Sequence, residues 1–223
     1  PESDLYLIDE LFSGFRDCAA YYGTRILGGD TDSHQELTVT GTALGWVEKD
    51  LALRRRGARP GDLLCTTGSL GGAGGGLYAW QQGRLDSPFI EKLLEPEPRL
   101  AEGRALAKSG AVTAMMDNSD GLALSLSDLS GASQVGFVVY EERLPLAEGL
   151  EEMVGRERAV EMALGAGGDF ELVFTVRRER LEAARLACQL TVIGEVVEEG
   201  IWVERDGERM RLEAKGYQHM IGR

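Results

Sequence analysis

Cysteine, histidine and long apolar runs are what this sequence has least of. Three cysteines, Cys18, Cys65 and Cys188, stand in a chain of 223 residues, with no Cys-x-x-Cys pair and an odd total. That excludes a disulfide framework and points to a reducing compartment, the cytoplasm. The two histidines, His34 and His219, lack the spacing of a zinc site. No stretch is long and apolar enough to read as a membrane span: the charge-free stretch over residues 66–83 is crowded with glycine. No secretory signal opens the chain, whose first residue is proline. Positive charge is also scarce. Lys and Arg number 24 against 37 Asp and Glu, a net charge of −13. Such a surface repels nucleic acid and anionic lipid, so neither is expected as a partner. A small phosphorylated ligand stays open, because carboxylates can gather a divalent cation that in turn holds phosphate.

With 43% apolar and 27% charged residues, the chain has a globular composition. Apolar positions Leu5, Ile8, Phe12, Phe15, Ala19 and Tyr22 recur at steps of three and four and predict a helix. Residues 25–27 and the β-branched stretch 37–47 predict strands. A basic, turn-rich segment, residues 53–62, marks a domain boundary, placed so that 1–57 and 58–223 are separate domains. Beyond it, strands are expected near 63–66, 114–116, 135–140, 171–176, 191–197, 201–205 and 208–212. Helices are expected over 99–109, 121–130, much of 147–164 and 178–188. Residues 95–98 (Glu-Pro-Glu-Pro) read as a linker. Strands and helices mix without a strict βαβ beat. The class is therefore α+β: a partial N-terminal α/β domain followed by a C-terminal α+β domain whose mixed sheet is covered on one side by helices.

Three short acidic motifs share a design: Gly28-Gly29-Asp30-Thr31-Asp32, Asp117-Asn118-Ser119-Asp120-Gly121 and Gly167-Gly168-Asp169-Phe170-Glu171. Each sets carboxylates at an expected strand end, beside glycines that admit close approach of a phosphate to backbone N–H groups. Magnesium prefers a few such oxygens together with water and substrate phosphate. Taken singly, each turn is equally an ordinary cap or tight turn, with Ser119 or Asp120 accepting helix N–H bonds. Their joint occurrence favours a metal–phosphate site. The run Gly71–Gly76 reads either as a phosphate cradle or as a flexible turn feeding a helix, and it is not a P-loop, since no lysine follows. Arg54, Arg55 and Arg56 form a solvated linker face or supply a phosphate clamp.

Taken together and in this order, five stretches resemble the thiamine-monophosphate kinases, within the superfamily of aminoimidazole ribonucleotide synthetase and selenophosphate synthetase. They are Leu27-Gly28-Gly29-Asp30-Thr31; Arg56-Gly57-Ala58-Arg59-Pro60-Gly61-Asp62 with Thr66-Thr67-Gly68; Met116-Asp117-Asn118-Ser119-Asp120-Gly121-Leu122; Gly167-Gly168-Asp169-Phe170-Glu171-Leu172; and Lys215-Gly216-Tyr217. The resemblance implies magnesium-dependent, direct in-line phosphoryl transfer from ATP to thiamine monophosphate, in a homodimer built through the N-terminal domain. It implies magnesium at Asp30, Asp117 and Asp120, with Asp117 and Asp120 catalytic, and ATP at Gly29, Asp30, Arg55 and Ser119. It places the substrate by Asp169 and Tyr217. The acidic glycine motif near residue 169 is one acidic residue shorter than in many relatives, and the chain is expected to begin inside the N-terminal domain. Two alternatives stand beside this reading: another ATP-dependent enzyme of the superfamily acting on a different small substrate, and a non-catalytic nucleotide-binding or interaction protein.

Overall fold

A computed structural model describes residues 5–214. The chain divides into two compact units, Pro1–Trp46 and Val47–Arg223. In the first unit, α1 (Leu5–Tyr21) confirms the helix expected from the apolar spacing and ends at Gly23, whose φ of 68° suits a left-handed stop. The strands expected at 25–27 and 37–47 do not form. Branched residues favour a pleated backbone, but a strand persists only against a hydrogen-bonded neighbour, and among the described residues of this unit there is none.

The second unit is built on a seven-stranded sheet: β1 (Leu63–Thr66), β2 (Val112–Asn118), β3 (Gly136–Tyr140), β4 (Glu171–Val176), β5 (Thr191–Val197), β6 (Ile201–Arg205) and β7 (Glu208–Arg211). Their order is β2-β4-β1-β5-β3-β6-β7, antiparallel throughout except for the parallel β3–β6 pair. The sheet is thus mixed, as expected of an α+β fold. Asp206 and Gly207 both take positive φ, 51° and 81°, and close the β6–β7 hairpin. The helices are α2 (Gly72–Gln81), α3 (Phe89–Leu94), α4 (Leu100–Ser109), α5 (Leu122–Ser133), α6 (Leu150–Val154), α7 (Arg156–Gly165) and α8 (Leu181–Ala187).

Helices cover both faces of the sheet rather than one. Alternation along the strands sends Leu64, Ala114, Val173 and Ile193 to one face, where Leu122, Leu126 and Leu129 of α5 and Val160 and Ala163 of α7 pack on them. Leu63, Cys65, Phe174 and Val176 point the other way, onto Leu106 of α4 and Ala184 of α8. Both faces of the central strands are therefore dry. Burial pushes the Cys65 thiol up to about 12, which marks it as core rather than nucleophile.

The glycine run is the clearest departure from expectation. The helix begins at Gly72, not after the run, and its glycines are buried. A Cβ on Gly74 would lie 2.7 Å from that of Ala166, one on Gly75 would lie 2.9 Å from a Leu150 methyl, and one on Gly76 would overlap the Phe89 carbonyl. The missing side chains let α2 lie directly against α3 and its neighbours. The run is neither a phosphate cradle nor a flexible turn but a packing face.

Candidate active site

Topology brings two of the three acidic motifs to one place. β2 and β4 are antiparallel neighbours with Asn118 opposite Glu171, so the end of β2 and the start of β4 share one end of the sheet. The turns are laced backbone to backbone: the Gly168 N–H donates to the Ser119 carbonyl at 2.8 Å and the Phe170 N–H to the Asn118 carbonyl at 3.2 Å. Glycine is required for that approach. A Cβ on Gly121 would sit 2.8 Å from the Gly165 carbonyl oxygen, and one on Gly167 would sit 3.1 Å from Asp120 Cα.

Within this pair of turns the carboxylates divide into free and engaged. Asp117 and Asp120 are exposed, and their side chains make no hydrogen bond or ion pair. Neither Ser119 nor Asp120 caps α5, whose first residue follows Gly121 at φ 102°. The helix-cap alternative therefore does not account for this motif. Between them Asn118 is buried; its Oδ1 accepts from the Ser125 hydroxyl at 3.2 Å, while its Nδ2 has no partner. Asp169 is the opposite case. Its Oδ2 accepts the Gly71 N–H at 2.7 Å and its Oδ1 the Ala73 N–H at 2.9 Å. A residue far along the chain thus caps the N-terminus of α2. Burial raises the Asp169 pKa above the usual carboxylate range, against the opposing pull of those N–H donors.

Asp169 also lines a cleft of about 400 Å³ with Thr67, Ser69, Lys92, Arg99 and Glu171. Its wall is held by an ion pair that the sequence reading missed. Arg99 grips Glu171 through two bonds of 2.7 Å, and the Thr67 hydroxyl donates to the same carboxylate at 2.6 Å. Above all, the hydrogen bond to Glu171 raises the Arg99 pKa above its ordinary value. The signal was Arg99, the arginine directly after the segment read as a linker, Glu95-Pro96-Glu97-Pro98.

The remaining expected site residues come from other parts of the sequence. Arg55 pairs with Asp128 at 2.8 Å, both half-exposed, and so sits along α5, about 9 Å of helix rise beyond its first residue, Leu122. Gly29 and Asp30 belong to the first unit; both are exposed, and the Asp30 Oδ1 accepts the Thr31 N–H at 2.9 Å. Tyr217 lies outside the described residues. Among the described residues no three His, Cys, Asp or Glu side chains converge as a closed metal site. The two unpaired carboxylates of Asp117 and Asp120 nonetheless suit a magnesium ion, which is commonly held by one or two carboxylates plus substrate phosphates.

Comparison with known proteins decides the family. The C-terminal domain model of AIR synthase related proteins matches residues 59–204 and the N-terminal model residues 1–47. Thiamine-monophosphate kinase of Methanospirillum hungatei is 42% identical over 210 residues, covering 94% of this chain and 68% of the relative. This chain belongs to the thiamine-monophosphate kinase family. Two solved structures of the family agree. That of thiamine-monophosphate kinase from Stenotrophomonas maltophilia superposes with a TM-score of 0.78 at 33% identity, covering 94% of this chain and 70% of its own. AaThiL complexed with AMPPCP and TMP superposes with a TM-score of 0.78 at 26% identity, covering 98% and 70%.

Proposed function

We propose that this chain transfers the γ-phosphoryl group of ATP to the phosphate of thiamine monophosphate, giving thiamine diphosphate and ADP. The observation that carries the reading is the pair of interlocked turns, which holds the unpaired carboxylates of Asp117 and Asp120 at one end of the sheet. The family relationship supports the substrates. An oxygen of the acceptor phosphate bonds to the γ-phosphorus as the bond to the β–γ bridging oxygen breaks, in line, and that electron pair leaves with ADP. The acceptor is already an anion at neutral pH, so no general base is needed.

Asp117 and Asp120, with Asp30 from the first unit, would hold magnesium, which when bound would supply positive charge against the phosphates. Gly29, Asp30, Ser119 and Arg55 are the proposed nucleotide contacts. The Arg55–Asp128 bridge is exposed on both sides, a kind of pair worth about 0–1 kcal/mol, so the guanidinium can exchange Asp128 for phosphate at little cost. Asp169 and Tyr217 stay on the substrate side of this reading. Because both Asp169 oxygens accept backbone N–H bonds, Asp169 serves there by fixing its turn. The domain boundary at 57/58, a homodimer through the first domain and a cytoplasmic location complete the proposal. The exposed apolar side chains of the first unit, Leu37, Leu44 and Trp46 among them, support the dimer. The free thiols of Cys18, Cys65 and Cys188 support the location.

The test is ADP release with and without thiamine monophosphate, with thiamine diphosphate followed by chromatography. Release that requires thiamine monophosphate is expected. Nucleotide binding without turnover refutes the kinase and favours the non-catalytic alternative. Asp120→Asn is expected to lower turnover by about 10²–10³. Its thermal midpoint should stay at the parent value or rise slightly, since the Asp120 side chain loses no partner and one of two like charges is removed. Parental turnover in the folded variant contradicts the assignment.

A further inference from the structure

Among the described residues, four other than glycine take positive φ: Asp50, Gln134, Phe170 and Asp206. Three are polar residues in turns or at a helix end, where short-range hydrogen bonding makes the left-handed region tolerable. Phe170, at φ 51°, is the bulky exception. Core burial does not explain it, because the residue is 44% exposed. A strained backbone persists where its surroundings over-determine it, and such positions gather at functional sites.

The restraints on Phe170 come from both sides. Asp169 is tied to α2 by the Gly71 and Ala73 N–H groups, and Glu171 is tied to Arg99 and Thr67. The Phe170 N–H is itself bound to the Asn118 carbonyl. Together with the Gly168 N–H bond to the Ser119 carbonyl, this sets the Phe170 backbone against the turn that carries Asp117 and Asp120. An exposed aromatic residue is therefore held by its backbone in a strained conformation, on the turn laced to the one that bears the open carboxylates.

We propose that Phe170 is a stacking platform for a flat heteroaromatic ring of a reactant, and so a specificity-determining residue. This rests on the proposed kinase reading, whose two reactants each carry such a ring: the adenine of ATP and the cationic ring system of thiamine monophosphate. Both have the same chemistry toward a phenyl face, with an added cation–π attraction for the thiamine ring.

The test uses Phe170→Leu, Phe170→Tyr and Phe170→Gly in the full chain. It measures KM and kcat for both substrates, calorimetric Kd values for thiamine monophosphate and AMPPCP, and the thermal midpoint. Losing an aromatic stacking partner should raise KM and Kd for one ligand about 10–100-fold while kcat holds, with Phe170→Tyr near the parent. Phe170→Gly, which relieves the strained φ, should keep or raise the thermal midpoint yet weaken the same ligand. A rise for thiamine monophosphate alone identifies its ring as the occupant; a rise for the nucleotide alone identifies adenine. No rise for either, or an equal rise for both, marks the ring as structural and overturns the inference. If the parent binds and discriminates through Phe170 but transfers no phosphoryl group, the kinase reading fails while the platform stands. If it binds neither ligand, both fall.

Discussion

Removing Arg99 tests how the wall of the cleft is held. In Arg99→Ala the Glu171 carboxylate, its side chain 7% exposed, loses both 2.7 Å bonds to the guanidinium and keeps the Thr67 hydroxyl. Stripping one partner from a buried ion pair typically costs about 3–5 kcal/mol, because the other charge is left in a poor solvent. The remaining hydroxyl and the adjoining cleft, which admits water, set the expected loss near the lower end, about 3 kcal/mol. For a chain of this length each kcal/mol moves the thermal midpoint by about 2–4 °C, so the fall should be about 6–12 °C.

The sign of the second substitution separates a charge effect from simple lost packing. Glu171→Gln in the Arg99→Ala background removes the stranded charge and keeps an acceptor for Thr67, so the double variant should regain about 1–2 kcal/mol. If Arg99 acted only through contact area, the second change would add to the loss. Urea denaturation at 0.1 and 1 M salt provides the assay. A pair this buried should respond little to salt, unlike the half-exposed Arg55–Asp128 bridge. An Arg99→Ala variant within about 0.5 kcal/mol of the parent refutes the buried ion pair as the support of this wall. A double variant no more stable than the single one refutes it equally.

Three other substitutions address helix glycines and the Asp169 turn. Gly76→Ala should destabilise by about 1–3 kcal/mol despite its better helix propensity, because the new methyl would overlap the Phe89 carbonyl and sit 2.6 Å from Leu93 Cβ. Gly131→Ala, in α5 with nothing within 4 Å of the added carbon, should stabilise by about 0.5–1 kcal/mol; equal thermal midpoints for the two variants would refute the packing account. Asp169 has a raised pKa in the folded state, so the fold holds its proton more tightly than the unfolded chain, and stability falls as pH climbs from about 4 through the folded value. Denaturation midpoints of Asp169→Asn against the parent should therefore converge or cross in the variant's favour over that range, and a pH-independent difference contradicts the shift.

What the sequence disclosed follows from the range of the forces involved. Alternation and composition are local, so β1, β4 and β5 and helices α4, α5 and α8 were legible to within a few residues. The two-sided cover was not, because Leu63–Thr66 is apolar on both faces and its four residues show no period of two. Residues 37–47 misled for the converse reason: branched side chains express a preference, but the ladder that realises it is a property of a neighbour. The six-residue glycine run misled because a helix poor in propensity is stabilised by contacts with Phe89, Leu150 and Ala166, distant in sequence or separated by a turn. At the site, the pattern located Asp117, Asp120 and Asp169 but not their division of labour. The donors that engage Asp169 lie at Gly71 and Ala73, nearly a hundred residues away.

That division is itself an argument about chemistry. Elsewhere in this acidic chain the buried carboxylates are compensated: Glu171 by Arg99, Glu141 by Arg205, Asp62 by the Thr113 hydroxyl and the Arg59 N–H, and Asp169 by a helix terminus. Asp117 and Asp120 are three residues apart, on a turn whose backbone is locked to its neighbour, and neither has a partner. Two like charges held near one another on a rigid turn repel, and a chain at −13 already bears that kind of strain. A sequence serving stability alone would place a lysine or a neutral side chain at one of them. The repulsion is relieved when positive charge arrives from solution. A rigid turn with two uncompensated carboxylates is therefore the feature that supports the proposed magnesium, since such an ion is commonly held by one or two carboxylates and substrate phosphate.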